Sequence, residues 1–422
     1  MSNLWKKWQD VSLVLRIVIF MIIGAIIAFA QRGAGVETIP FLTKFMEVIG
    51  STLFVGALKA VAPLLVFFLV LNAVINAKSG QKSFGTIVVL YIVGTFAAAL
   101  VAVVASYIFP SVITLTGVDE VEMEAAKSIG EVLVTLAGNL VANPVASIVN
   151  GNYLGILLWA LVLGVALRIA SASTKELFQN LADGIVVAVR WVIQCAPFGV
   201  MGLVYTAVLT SGSKIFTEYG HLVAVLVIVM VLIALAVNPI IVALSARVNP
   251  YPLVLRALRD SAITAFFTRS SAANIPVNME LAKRLKLNEN IYSVSIPLGA
   301  TINMAGAAVT ITVMSMAAVY TVSGSLPDIP TAVLLSGLAA ISAAGASGVP
   351  GGSLLLIPLA CSLFGLDGDL AMQVVGVGFI IGVIQDSFET ALNSSSDVVF
   401  TAAADYRERR KAGQSINFSQ WE

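Results

Sequence analysis

Apolar residues dominate 12–31, 45–76, 84–110, 132–170, 181–211 and 220–246. Each run is long enough for a helix that crosses the hydrocarbon core of a bilayer. Asn143-Pro144 and Asn150-Gly151-Asn152 interrupt the fourth, which predicts several short helices there. After Asn249 the pattern changes. Segment 253–280 reads FFTRSSAANIPVN at its middle, where Ser270, Ser271, Asn274 and Pro276 are expected to interrupt the helix. Segment 331–363 repeats the design with AAGASGVPGGS between two apolar arms. Irregular backbone at membrane depth survives only where protein buries it or where it lines a cavity. Both segments are therefore expected to be re-entrant hairpins. Full spans follow at 291–320 and 370–405. In the first of these, Pro297, Gly299 and Asn303 predict a partly unwound helix with free carbonyls.

The last span carries the most informative pattern. Placed on a helix at 100° per residue, Thr390, Asn393 and Asp397 point within roughly 40° of Asp386, and Glu389 lies about 60° to one side. Each carboxylate facing lipid near the bilayer centre would cost about 2.5–3.5 kcal/mol. The stripe must face protein, water or a ligand.

Lysine and arginine fix the expected orientation. Lys6, Lys7 and Arg16, then Lys78 and Lys82, Arg168 and Lys175, Arg256 and Arg259, Lys283 to Lys286, and Arg407 to Lys411 fall on one side if the N-terminus is cytoplasmic. The other side holds Arg32, Lys127 and Lys214 together with the acidic loop Asp119, Glu120, Glu122 and Glu124. Hairpin 253–280 then enters from the cytoplasmic side. Hairpin 331–363, with no charge between Asp328 and Asp367, enters from the outer side. Two opposed hairpins, each followed by a full span, make an inverted repeat. The expected fold is an all-α polytopic membrane protein of eight transmembrane helices plus two re-entrant helical hairpins.

Composition agrees. The 422 residues are 59% hydrophobic and 11% charged, with mean hydropathy +0.97, against about 25% charged in soluble domains. The net charge of +1 comes with no basic domain, so no nucleic-acid partner is expected. Cys195 and Cys361 lie in apolar segments, which speaks for packing and against a disulfide or metal site. His221 stands at a span boundary, and no cleavable signal peptide is expected at the N-terminus. An intramembrane hydrolase built on Gly345-Ala346-Ser347-Gly348 would lack a base, and a channel needs no matched hairpins; the expectation is not an enzyme.

TRSSAANIP, PLGATINMAGAA, GASGVPGGS and QDSFETALNSSSD, in that order, resemble the dicarboxylate/amino acid:cation symporters, the glutamate transporter family. The NMAGAA and QDSFETALNSS stretches are most similar to its bacterial serine/threonine:sodium symporters. The resemblance implies a glutamate-transporter-like inverted-repeat fold in the bacterial inner (cytoplasmic) membrane, with both termini cytoplasmic. It implies a homotrimer with scaffold helices in 1–83 and 132–211, transport-domain parts in 84–110 and 220–405, and a cytoplasmic tail at 406–422. The moving domain would slide across the bilayer, with the outer hairpin as extracellular gate.

Carried residue by residue, the resemblance makes Asp386 the acceptor for a substrate ammonium. Thr390, Asn393 and Ser271, with Arg269 and Val349 through their backbone, hold the α-carboxylate. Gly299, Asn303, Asn393 and Asp397 form one sodium site; Thr301, Ala343, Ala344 and Ala346 form a second. Sodium enters as coupling ion, with no cofactor.

The departures redirect the substrate. Members that carry acidic substrates have arginine where this chain has Glu389, and Ala307 replaces a hydroxyl residue that helps hold the acidic side chain. A neutral amino acid, L-serine or L-threonine, is expected. Glu389 would accept its hydroxyl proton, with its own charge balanced by Arg269. Ala305 and Gly94 stand where relatives carry oxygen ligands of a third sodium, so fewer sodium ions are expected. Proton coupling through Asp386, Glu389 or Asp397 is the alternative within the same class, as is a broader range of small neutral amino acids.

Overall fold

The computed structural model describes residues 11–33, 39–76, 82–115, 138, 141–344, 346, 351–414 and 416. Among these every regular element is helical. Helix α1 is Leu13–Gly33; α2 (Pro40–Glu47) runs through a π-helical stretch, Val48–Val55, into α3 (Gly56–Ile75); α4 is Lys82–Ile108. The interrupted fourth run yields α5 (Pro144–Asn150) and α6 (Tyr153–Ala166), parted at Gly151, whose φ of 67° is left-handed. Asn143 and Asn152 cap the two helices with their side-chain oxygens.

Six helical runs among the described residues are long and apolar enough to cross a membrane, and a bent pair makes a seventh. That pair corrects the expected span 181–211. It consists of α7 (Ala172–Gln194) and α8 (Ala196–Ser211), bent by 51° at Cys195. Pro197 sits in the first turn of α8, where its missing N–H has no helical partner to lose.

Helix α9 (Lys214–Leu232) passes through a π stretch, Ile233–Val237, into α10 (Asn238–Ala246). The first hairpin has one arm made of α11 (Tyr251–Ala257), a π stretch Leu258–Ala262 and α12 (Ile263–Thr268); its other arm is α13 (Ser271–Arg284). The turn between them is confined to Arg269 and Ser270. Arg269 is left-handed at φ 51°, and the Ser270 hydroxyl caps α13 by accepting from Ala273 N at 3.3 Å. Asn274 and Pro276, expected to break the helix, lie within α13. The proline removes one N–H from the ladder without ending it.

Helices α14 (Glu289–Ile302) and α15 (Ala305–Ser323) form the next span. Pro297 and Gly299 stay helical, and the break falls at Asn303 and Met304. The second hairpin comprises α16 (Ile329–Ala343), a 3₁₀ turn Ser353–Leu356 and α17 (Ile357–Ser362). Most of its tip, including Val349 and Ser347, lies outside the described residues.

Helix α18 (Gly368–Lys411) is unbroken over 44 residues, roughly 66 Å. Asp367 caps it, accepting from Leu370 N at 2.7 Å, and Arg409, Arg410 and Lys411 oppose the negative end of its dipole. It extends six residues past the expected end at 405. Two packing groups surround it. Helices α1, α3 and α5 to α8 pack mainly on one another; α4, both hairpins, α9, α10, α14 and α15 pack around α18.

Candidate functional site

The polar stripe of α18 is buried along its length: Asp386 is 2% exposed, Glu389 5%, Asn393 3% and Asp397 not at all. Four elements converge on it.

Asp386 lies where both hairpins meet α18. Arg269, at the turn of the first hairpin, donates from Nε to Asp386 Oδ2 at 2.6 Å. From the second hairpin, Gly351 donates its backbone N–H to Oδ1 at 3.3 Å. The left-handed backbone at Arg269 is unusual for a residue with a side chain, and it aims the guanidinium inward from a turn whose N–H bonds Ala265 O at 2.8 Å.

This geometry corrects the expected Arg269–Glu389 pairing. Arg269 is engaged by Asp386. Glu389 is held by neutral donors, accepting at Oε2 from Thr310 Oγ1 at 2.7 Å, Ser353 Oγ at 2.8 Å and Gln385 Nε2 at 2.5 Å. A buried carboxylate can be held by hydrogen bonds when no cation is at hand.

One turn further along, Asn393 is fixed by α15: its Oδ1 accepts from Gly306 N at 2.7 Å, and its Nδ2 faces Met304 Sδ at 3.4 Å. The break between α14 and α15 brings Asn303 alongside. The Asn303 amide nitrogen lies 2.9 Å from Asp397 Oδ1, 2.7 Å from Ser396 Oγ and 3.3 Å from the Asn393 carbonyl. Gly299 lets Asp397 and Tyr91 approach, because a Cβ there would stand 2.8 Å from both Asp397 Cγ and Tyr91 Oη.

Two oxygens of this cluster, Asp397 Oδ2 and Asn303 Oδ1, are buried without a hydrogen-bond donor among the described residues. Such orphaned acceptors are rare. Hard oxygens beside an unwound helix suit a small alkali cation. Gly299, Asn303, Asn393 and Asp397 are thus brought together. The second expected cation set is less assembled. The Ala343 carbonyl accepts from Ala346 N at 2.9 Å, while the Thr301 hydroxyl turns back to Leu298 O at 2.7 Å. Ala344 is the C-cap of α16.

Ser271 begins α13 and is buried, as is Thr390; among the described residues neither hydroxyl has a hydrogen-bond partner. A cavity of about 20 Å³ opens against Arg269, Asp386 and Gly351, with Ile17 of α1 and Ile193 of α7 on the opposite wall.

Sequence reasoning missed the residues that organise the stripe from outside it. Gln385, Thr310 and Ser353 around Glu389 are one set. Ser261, Asn278 and Ser394 are the other: Asn274 Nδ2 reaches Ser394 Oγ at 2.9 Å, Asn278 Nδ2 reaches the Ser394 carbonyl at 2.9 Å, and Ser261 Oγ donates to Asn278 Oδ1 at 2.5 Å. The available signal was Asn274 and Asn278 at i, i+4, one face of a helix.

Residues 13–406 match the sequence model of the sodium:dicarboxylate symporter family. The match takes in both hairpins, the broken span and all of the buried stripe, and it makes this multi-pass membrane protein a transporter: the chain belongs to the sodium:dicarboxylate symporter family.

Proposed function

We propose that the protein is a sodium-coupled importer of serine and threonine in the bacterial inner membrane. One observation carries the choice of a neutral substrate in a family named for dicarboxylates. Among the described residues the one cation in the site, Arg269, is engaged by Asp386, and Glu389 occupies the stripe beside it. A substrate with a side-chain carboxylate would meet a second carboxylate and no free guanidinium.

In this reading the substrate ammonium binds Asp386 at Oδ1, which among the described residues carries only the 3.3 Å bond from Gly351. Ser271 and Thr390 offer unused hydroxyls to the α-carboxylate, with Asn393, the backbone at Arg269 and Val349 around it. Glu389 accepts from the side-chain hydroxyl. Sodium binds at Gly299, Asn303, Asn393 and Asp397, where the donor-less oxygens support it, and at Thr301, Ala343, Ala344 and Ala346. Ala305 and Gly94 leave no third site; a Cβ at Gly94 would lie 2.7 Å from the Phe400 ring.

Alternating access follows an elevator scheme, in a homotrimer with cytoplasmic termini. The packing of α1, α3 and α5 to α8 apart from the helices around α18 supports a scaffold in 1–83 and 132–211 and a moving body in 84–110 and 220–405. The cavity beside Asp386 is about 20 Å³, room for one water. In the elevator reading a wall of the site moves to admit the amino acid. Sodium and substrate drive that movement only so far as they bind the closed form more tightly than the open one.

The test is uptake of labelled serine, threonine, alanine and aspartate into proteoliposomes. Serine and threonine are expected to accumulate only with an inward sodium gradient, and aspartate not at all. Aspartate accumulation overturns the substrate; serine accumulation driven by a pH gradient without sodium overturns the ion. Reversal potentials are expected to give fewer than three sodium ions per serine.

A further inference from the structure

Three side chains from three elements reach Glu389, and all of them land on one oxygen. Thr310 of α15, Ser353 of the second hairpin and Gln385 of α18 donate to Oε2; none of these bonds uses Oε1. The arrangement is relayed. Gln385 Nε2 lies 2.7 Å from Thr310 Oγ1 as well, so the amide can give one N–H to the threonine oxygen and the other to Glu389. Thr310 Oγ1 also lies 3.2 Å from the Gly306 carbonyl oxygen, and its closer approach to Glu389, 2.7 Å, favours the carboxylate for its single proton. Gly306 closes the back of the group, since a Cβ there would stand 2.7 Å from the Glu389 carbonyl oxygen and 3.0 Å from its Cγ.

A carboxylate held by one donor can rotate and exchange its oxygens. Held by three donors from separate elements, it has a fixed plane, one saturated oxygen and one oxygen open to a further donor. That makes it a directional acceptor.

The geometry points to Thr310, Gln385 and Ser353 as positioning residues for substrate selection: they hold Glu389 so that Oε1 accepts the hydroxyl proton of the transported amino acid. The inference rests on the serine/threonine reading above and goes further in two respects. Selection depends on a relay of neutral side chains as well as on Glu389. Because Ser353 belongs to the second hairpin, the selective arrangement is complete only with that hairpin docked on α18. A site built to pair a hydroxyl discriminates against the analogue lacking it, whose absence leaves a buried acceptor unpaired.

The experiment measures KM for serine and for alanine in sodium-driven uptake by the full chain in liposomes. It compares wild type with Thr310→Val, Thr310→Ser, Gln385→Met and Ser353→Ala. Thr310→Val and Gln385→Met are expected to raise the serine KM about tenfold relative to the alanine KM, the scale of a misplaced polar partner. Ser353→Ala shifts the ratio the same way, and Thr310→Ser restores it. Variants that change both KM values by one factor, or neither, overturn the positioning role. A wild type that does not favour serine over alanine overturns the substrate reading instead. Gln385→Met and Ser353→Ala give the answer by themselves should the valine variant not fold.

Discussion

The two hairpins are built alike in sequence and attached very differently. The first is hydrogen-bonded to α18 by side chains of its second arm and of its turn. Asn274 and Asn278 on that arm reach Ser394 and are themselves bonded to Ser261 on the other arm, while Arg269 at the turn is paired with Asp386. Among the described residues the second hairpin has the Gly351 N–H on Asp386 and the Ser353 hydroxyl on Glu389, with Leu354 packed against Gly378 of α18. Both of those bonds end on carboxylates of the stripe. The first hairpin's amide network reaches the helix at Ser394, away from those carboxylates. Both hairpins thus end on Asp386, and among the described residues the first has in addition an amide network that ends away from the carboxylates.

The largest test of this contrast is Asp386→Ala. It strips the partner from a buried guanidinium, a loss of about 3–5 kcal/mol, and removes the residue that both hairpins share. Serine uptake is expected to vanish and the thermal midpoint of the detergent-solubilised protein to fall; a variant that retains uptake breaks the comparison at its centre. Next in size is Asn278→Ala. Ser261 and Ser394 lose a buried partner, which costs about 1–3 kcal/mol. The thermal midpoint should fall with or without sodium, because this network does not end on the ion-binding residues.

How much of this was legible in the sequence depended on where each partner comes from. The stripe was legible because carboxylates in an apolar run have few places to go: helical spacing alone put Asp386, Asn393 and Asp397 on one face. Both hairpins were legible as small polar residues set between apolar arms. Breaks were harder to place. Pro276 and Pro297 looked like the interruptions, yet each loses a single backbone bond that the surrounding helix absorbs, while the chain turns at Arg269 and unwinds at Asn303. The partners of Glu389 were not legible. Thr310 lies 79 residues away and Ser353 36, and each reads as an ordinary hydroxyl in an apolar segment until the fold brings it in. Arg269 was foreseen as the nearby cation, but which carboxylate it took depended on the direction of a left-handed turn that no spacing rule gives.

Ser353→Ala sharpens the comparison from the other side. The lost bond ends on a carboxylate that keeps two donors, so the stability cost is about 1.5–3 kcal/mol, on the scale of Asn278→Ala. Hydrogen exchange over 351–362 is expected to rise while exchange over 271–284 is unchanged. Equal loosening of both hairpins would show that they are not fastened independently.

The smallest effect belongs to the base of the first hairpin. Asp260 accepts from Arg259 Nε at 2.6 Å and from Arg256 Nε at 2.5 Å. Arg259 is largely exposed, Arg256 partly so, and a pair of this kind contributes roughly 0–1 kcal/mol. Asp260→Asn should therefore lower the thermal midpoint slightly at low ionic strength and by less at high salt, as screening already weakens the native pair. If the first hairpin is held mainly by the amide network around Ser394, serine uptake in Asp260→Asn stays near wild type. A large loss of uptake would move the hairpin's anchorage from α18 to its charged base, and with it the distinction between the two hairpins.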